Sequence, residues 1–242
     1  MKFYEMLVKS YDTIFPFQPD TFRFIREGLH AGDKVLDAAC GTGTYTLPLQ
    51  EEGILACGVD LEEAMIEEAE KKRQRLGIDG DFVVSNMLDI DLVSEGDLRR
   101  IFIIGNSLVH LHSLDEVRNF LASAYDLLAK EGDLLLQIIN YDRILDQKIT
   151  KLPDIRVPEA ELLFLRRYQY DPAIHKVEFS TTLTLGTESR TSTVDLLPLR
   201  RAELEEALNE CGFTEINVYG DFKKSPWTPN SMMLVMAARK LK

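Results

Sequence analysis

From residue 33 onward, short apolar runs alternate with amphipathic stretches in a steady rhythm. KVLDAA, LACGVD, FVVSN, RIFIIGN and DLLLQII are each of strand length and bounded by turn residues, which predicts five buried strands. Between them, TYTLPLQEEG predicts a helix ending at Gly53. Residues 61–76 predict a second helix, with Leu61, Ala64, Met65, Ala69 and Leu76 on its apolar side. The segment SLDEVRNFLASAYDLLAKEG is the best-marked helix. Ser113 and Glu116 form a capping box, Val117, Phe120, Leu121, Ala124 and Leu128 make one stripe, and Gly132 serves as the stop. Strands and helices alternating in this way require right-handed crossovers, hence a parallel sheet with helices on both faces.

The rhythm fails in two places. Residues 1–30 predict a helix, FYEMLVKSYDTIF, broken by Pro16 and Pro19 and followed by a second, DTFRFIREGL; together they suit an N-terminal helical lid. Residues 146–197 show no helix but three β-like runs, ELLFLRRYQY, HKVEFSTTLTL and SRTSTVDLL, with turns at YDPAIH and GTE. This predicts an inserted antiparallel β cap. A helix, RAELEEALNECG, and the strands EINVYG and MMLVMAAR complete the pattern. The last strand is reached by a loop without a crossover helix, so it should run antiparallel to its neighbour. The expected architecture over 1–242 is one α/β domain, a Rossmann-like seven-stranded, mostly parallel sheet carrying the cap.

Composition narrows the function classes. A formal charge of −12 argues against nucleic acid, because such binding gains affinity by neutralising phosphates. The one dense basic run, KKRQR at 71–75, follows Glu67 and Glu68 at i,i+4 spacing, the pattern of a solvated helix face. No apolar run approaches the roughly 18 residues that span a bilayer, and MKFYEMLVKSYDTIFPF lacks the apolar core of a signal peptide. Cys40, Cys57 and Cys211 show no metal-binding or disulfide spacing. A cytoplasmic protein with no metal and no membrane partner is expected.

Ligands of doubly wound sheets sit at the carboxyl ends of the strands. There the sequence places Asp37 before the loop Ala39, Cys40, Gly41 and Gly43, then Asp60-Leu61, then Asn86-Met87, then Gly105-Asn106. Asp60, about twenty residues past the first loop, can accept ribose hydroxyls. A dinucleotide is disfavoured: its pyrophosphate wants three spaced glycines opening a helix, and Tyr45 and Thr46 occupy that turn. A carboxylate at 37 would repel a pyrophosphate but suits a cationic ligand.

These stretches, VLDAACGTG, GVDLEEAMIEEA and NMLDI, resemble the signature of class I S-adenosylmethionine-dependent methyltransferases, over residues 33–140 and 200–240. The resemblance implies that the first loop approaches the methionine part of S-adenosylmethionine, that Asp60 binds its ribose and that Asn86-Met87 faces adenine, S-adenosylhomocysteine being the product. Asp is usual at 86; the amide oxygen of Asn86 can still accept from the adenine amino group. Tyr11 would close over the cofactor as part of the lid. GNSLVHL (105–111), NYDRIL (140–145) and GDF (220–222) are similar to the glycine/sarcosine N-methyltransferase group. That likeness implies that Asn140, with Tyr141 beside it, touches an amino-acid substrate.

The acceptor would be a small molecule, its nitrogen a better candidate than an oxygen. An amine must be neutral to react, and His110 either takes its proton or packs under its loop; His112 is structural. An acceptor carboxylate calls for an Arg. Alternation groups Arg166 with Phe164, Tyr168 and Tyr170, and Arg167 with Leu163 and Leu165; Arg190 is a third candidate. Aromatics around Arg166 equally suit a larger, partly apolar acceptor, including an oxygen one. A cofactor-binding protein without transfer activity is the remaining alternative.

Overall fold

The computed structural model describes residues 3–241. Its main sheet holds β1 (Lys34–Asp37), β2 (Leu55–Asp60), β3 (Asp81–Val84), β4 (Leu98–Ile103), β5 (Leu128–Ile139), β10 (Thr214–Tyr219) and β11 (Met233–Arg239), in the order β10-β11-β5-β4-β1-β2-β3. Only β11 runs against its neighbours, pairing antiparallel with both β10 and β5. Strand order reverses at β1, which pairs with β2 on one side and β4 on the other. The loops after β1 and β4 therefore open on the same crevice.

Both faces of this sheet are buried, which is why its strands read as continuous apolar runs. Leu36, Ile101, Ile103, Leu134 and Leu136 point into one core with helix α5 (Leu114–Leu127) and helix α7 (Arg201–Glu210). Val35, Phe102, Leu135 and Val235 point into the other, against α2 (Pro19–Arg26) and α3 (Thr46–Glu51). Helix α4 (Glu63–Leu76) buries Met65, Ile66 and Ala69. Met65 and Ala69 are thus buried as expected, whereas Leu61, which precedes the helix, and Leu76, its last residue, are 64% and 52% exposed.

The end of α5 also differs from expectation. It stops at Leu127, and β5 starts at Leu128 with no loop between. Gly132 lies inside β5, where a Cβ would stand 2.8 Å from the carbonyl oxygens of Ala129 and Leu98. At the start of α5, the Ser113 hydroxyl accepts the Glu116 N–H as predicted, but the Glu116 carboxylate reaches back one residue further, to the His112 N–H.

After β5, α6 (Tyr141–Asp146) leads into a second, wholly antiparallel sheet: β6 (Ile155–Val157), β7 (Leu162–Asp171), β8 (Lys176–Leu185) and β9 (Glu188–Leu196). The short β6 was not visible in the sequence pattern. Helix α1 (Phe3–Ile14) packs Met6 and Ile14 on Leu162, Phe164 and Leu183 of this sheet and also meets α4. It thus bridges the cap and the crevice. No helix among the described residues is long and apolar enough to cross a membrane.

One buried ion pair ties β4 and β5 to α2. Arg100 on β4 and Asp133 on β5 are 5% and 8% exposed and bond through two parallel contacts of 2.5 and 2.8 Å. Arg100 also donates to the Ile25 and Glu27 carbonyls at the end of α2. Asp133→Ala strands the buried Arg100 charge and should cost about 3–5 kcal/mol in urea unfolding; Arg100→Ala should cost less, because Asp133 keeps Arg99 at 3.6 Å. Replacing both by apolar residues (R100M with D133L) should cost less than the two single losses summed.

Candidate functional site

The loop after β1 is shaped by two left-handed glycines. Gly41 has φ +54° and Gly43 φ +77°. A Cβ at 43 would meet the Phe82 ring at 2.9 Å, and one at 41 would meet the Tyr11 ring at 3.0 Å. The Asp60 carboxylate then fixes the loop to the end of β2. One of its oxygens accepts the Gly41 N–H at 2.8 Å and the other the Glu62 N–H at 3.0 Å. From above, Asp12 of α1 accepts the Thr42 hydroxyl at 2.6 Å and the Thr44 hydroxyl at 3.2 Å and pairs with Lys72, whose ammonium also reaches the Thr42 carbonyl.

Tyr11, next to Asp12 in this clasp, and Thr44 line a first cavity of about 640 Å³. Of the predicted cofactor residues, Tyr11, Asp37, Ala39, Cys40, Gly105 and Asn106 line it. Gly41, Gly43, Asp60, Leu61, Asn86 and Met87 do not; they stand further along the sheet edge, at the ends of β1, β2 and β3. The Asn86 amide oxygen caps the turn that follows it by accepting the Leu88 N–H at 3.0 Å. Gln137 was missed, though it is the one polar residue that interrupts the apolar run LLLQII. It lines the cavity and its Oε1 accepts the Gly105 N–H at 2.8 Å.

Asp37 is the electrostatic centre of this cavity. It is 2% exposed; one oxygen accepts the Thr46 hydroxyl at 2.7 Å and the other, Oδ1, has no hydrogen-bond partner. Burial pushes its pKa up from 3.8 to about 7, with the Asp60 carboxylate adding to the rise and the Thr46 hydroxyl and Ala39 N–H partly opposing it. Burial likewise raises Asp60, and it raises Tyr11 and Cys40 with the nearby carboxylates adding to it. A buried carboxylate with a free oxygen fits a cationic ligand group, and thereby the ammonium-bearing sulfonium cofactor that the sequence suggested.

A second cavity, of about 200 Å³, lies under the cap and shares Phe15, Gly105, Asn106, Ile139 and Arg166 with the first as a common wall. His110 opens onto it; it keeps contact with solvent, but the surrounding protein desolvates its imidazole and lowers its pKa. Arg166 lines both cavities. Its guanidinium donates to the Pro153 carbonyl at 2.7 Å, while its Nε is buried without a partner. Arg167 points out of the cap, and Arg190, beside Glu188, lines neither cavity.

Asn140 and Tyr141 require correction as substrate contacts. Asn140 is 0% exposed, and its Nδ2 donates to the Ser231, Pro229 and Thr228 carbonyls at 3.0–3.4 Å, while its oxygen caps α6 at the Arg143 N–H. It holds the loop before β11 in place. Tyr141 is equally buried, its hydroxyl accepting from Asn106 at 3.2 Å. Neither lines a cavity. A wider open cleft between α2 and residues 222–224 is lined by exposed charges already paired, among them Arg23 with Asp20 and Lys224 with Glu27.

The raised Asp37 pKa has a definite sign for stability. The folded state binds this proton more tightly than the unfolded chain, so its stabilisation is present below pH 4 and lost as pH rises through about 7. Asp37→Asn should therefore leave the ligand-free protein little changed near pH 4. At pH 8 it should be more stable than the wild type by about 2–4 kcal/mol in urea unfolding.

Residues 35–132 match the family model described as a methyltransferase domain. The glycine/sarcosine N-methyltransferase of Aphanothece halophytica is 29% identical over 81% of this chain and 72% of its own length. That of Halorhodospira halochloris is 29% identical over 83% and 73%. Among solved structures, an S-adenosylmethionine-dependent methyltransferase of Clostridium acetobutylicum superposes with a TM-score of 0.80 at 17% identity, covering 98% of each chain. Residues 35–132 thus form a methyltransferase domain within a Rossmann-like sheet, and the whole chain shares its fold with S-adenosylmethionine-dependent methyltransferases.

Proposed function

We propose that this enzyme methylates the nitrogen of a small amine or amino acid held in the second cavity. The observation that carries the reading is the wall shared by the two cavities, with Arg166 and His110 on the acceptor side of it. The two glycine/sarcosine N-methyltransferases, similar over most of their length, support a nitrogen acceptor.

S-adenosylmethionine, when bound, supplies a methyl group already activated by its sulfonium. This chain's residues supply position, exclusion of water and a proton acceptor. The free oxygen of Asp37 would hold the α-ammonium, and the Ala39-Cys40 backbone would lie along the methionine end. Asp60 keeps acceptor capacity beyond its two backbone bonds for ribose hydroxyls, and Asn86-Met87 lies where adenine is expected. Tyr11, wedged against Gly41 by the Asp12 clasp, closes the roof. Arg166 would bind the acceptor's carboxylate. The acceptor nitrogen must arrive uncharged; His110, kept neutral at pH 7 by its lowered pKa, accepts the proton that nitrogen sheds.

The aromatic lining of the second cavity also favours a second reading, O-methylation of a larger phenol-like acceptor. A transfer screen with labelled S-adenosylmethionine over amines, amino acids and phenols separates the two, and product from none of them would leave a cofactor-binding protein without activity. In calorimetry, the affinity for S-adenosylhomocysteine should rise about tenfold or more between pH 6 and pH 8 as Asp37 ionises, and Asp37→Asn should abolish that rise. An unchanged pH dependence in the variant would remove Asp37 from the site.

With an amine acceptor, His110→Asn should lower kcat about 10²-fold and remove a limb of the kcat profile that falls off below pH 6.5. Full kcat in this variant would leave His110 as a packing residue.

A further inference from the structure

The second cavity is built for more than the smallest amino acid. Phe3, Tyr4, Phe15, Phe164, Tyr168 and Phe179 contribute six rings to its wall. Two of these, Tyr168 and Phe179, are stacked at 5.0 Å across β7 and β8 and so present a rigid flat surface. The volume of about 200 Å³ would hold roughly seven waters at their liquid volume, yet most of the wall offers them no hydrogen bond. Glycine has no side chain to lay against these rings.

The polar groups are as selective as the apolar ones. Tyr168 is 3% exposed, and its hydroxyl has no hydrogen-bond partner; the same is true of the buried Nε of Arg166, two residues earlier on the same face of β7. Buried polar groups in folded proteins are nearly always paired, so two orphans side by side in a cavity point to an absent acceptor group. Both can donate, and one carries a full charge. No carboxylate is among the described residues that line this cavity, in a chain with 40 acidic residues. An anionic oxygen would meet the Arg166 charge directly, while Asp154 and Glu62, the carboxylates that act on Arg166 and Tyr4, stand outside the lining.

Resting on the nitrogen-acceptor reading above, we infer that the acceptor is an α-amino acid or similar amino-carboxylate with an aromatic or large branched apolar side chain, and that the Tyr168 hydroxyl selects its acidic oxygen together with Arg166. The side chain replaces water against the rings, the carboxylate pairs the two orphaned donors, and the amine is left at the wall shared with the first cavity. Tyr168 is in this view a specificity-determining residue of the cap. It is not one of the short motifs that resemble the glycine/sarcosine group.

The test is calorimetry with the full-length protein, with and without saturating S-adenosylhomocysteine, using L-phenylalanine, L-leucine, glycine, phenethylamine and 3-phenylpropionate as probes. L-phenylalanine or L-leucine should bind at least tenfold more tightly than glycine, and 3-phenylpropionate more tightly than phenethylamine. Tyr168→Phe, which keeps the stacked ring, should weaken the carboxylate-bearing probes about five- to tenfold and leave phenethylamine unchanged. Its unfolding midpoint and its affinity for S-adenosylhomocysteine serve as the check that the fold is intact. Glycine binding as tightly as both larger amino acids would overturn the inference, as would a Tyr168→Phe variant that binds the carboxylates like wild type. If the acids bind as expected but no amine is methylated, the cavity assignment stands and the nitrogen-acceptor reading falls. Methylation of glycine in strong preference to the larger amino acids keeps that reading and discards this one.

Discussion

The site depends on how the Asp60 carboxylate is used. Its two oxygens take one N–H from the loop after β1 and one from the start of α4, so two separate chain segments share one anchor. Parallel strands all deliver their loops to the same edge, and such loops hold no ladder bonds with one another. Without a charged acceptor between them, the glycine loop would be free to collapse into the crevice or lift from it. With it, Gly41 is fixed where the Tyr11 ring can rest on it, and the roof of the first cavity has a seat. Asp60 is thereby partly satisfied in the ligand-free protein, whereas Asp37 keeps one oxygen bare. Two carboxylates on adjacent strands thus differ: one is bound into the loops that shape the site, and the other keeps an oxygen without a hydrogen-bond partner.

That division also accounts for the separation of charge across the shared wall. On the proposed reading, a positively charged cofactor would be drawn to the side where Asp37 is buried, and an anionic acceptor to the side where the Nε of Arg166 has no partner. Each reactant would lower the cost that the other side's bare group imposes on the folded protein, since an unpaired buried polar group costs about 1–3 kcal/mol. Part of the binding energy is in this sense held in advance by the fold, as burial that only the ligands relieve.

Much of the framework was legible because its cause is local. The run LACGVD becomes β2 residue for residue, and the lone loop before MMLVMAAR does reverse that strand. Alternation along ELLFLRRYQY grouped Arg166 with Phe164, Tyr168 and Tyr170; the first three share the cavity face, Tyr170 lies exposed beside His175, and Arg167 turns outward. What failed depended on partners distant in sequence. Gly132 looks like a helix stop, but it is glycine because the Leu98 carbonyl, 34 positions earlier, leaves no room for a Cβ. Asn140 sits where a substrate residue was expected, yet its amide is consumed by three carbonyls some ninety residues later. Periodicity reports which face a side chain occupies. It carries no information on which backbone groups will already have claimed its polar atoms.

Helix α1 is where these constraints converge. Its Met6 and Ile14 are buried in the cap, its Asp12 is bound to the loop after β1 and to Lys72, and its Tyr11 and Phe15 enter the cavity walls. The first cavity is partly open to solvent, and widening it around a ligand would exchange some of these contacts. The apolar contacts on the cap bury whole side chains and resist separation. The Asp12 clasp is half-exposed and made of hydroxyls and an ammonium that water can replace, so it is the weaker attachment. Opening therefore costs least if α1 and the cap sheet stay together and part from the glycine loop at Asp12. Such a motion would widen both cavities at once, because their common wall is formed by Phe15 of the moving part and Gly105-Asn106 of the fixed sheet.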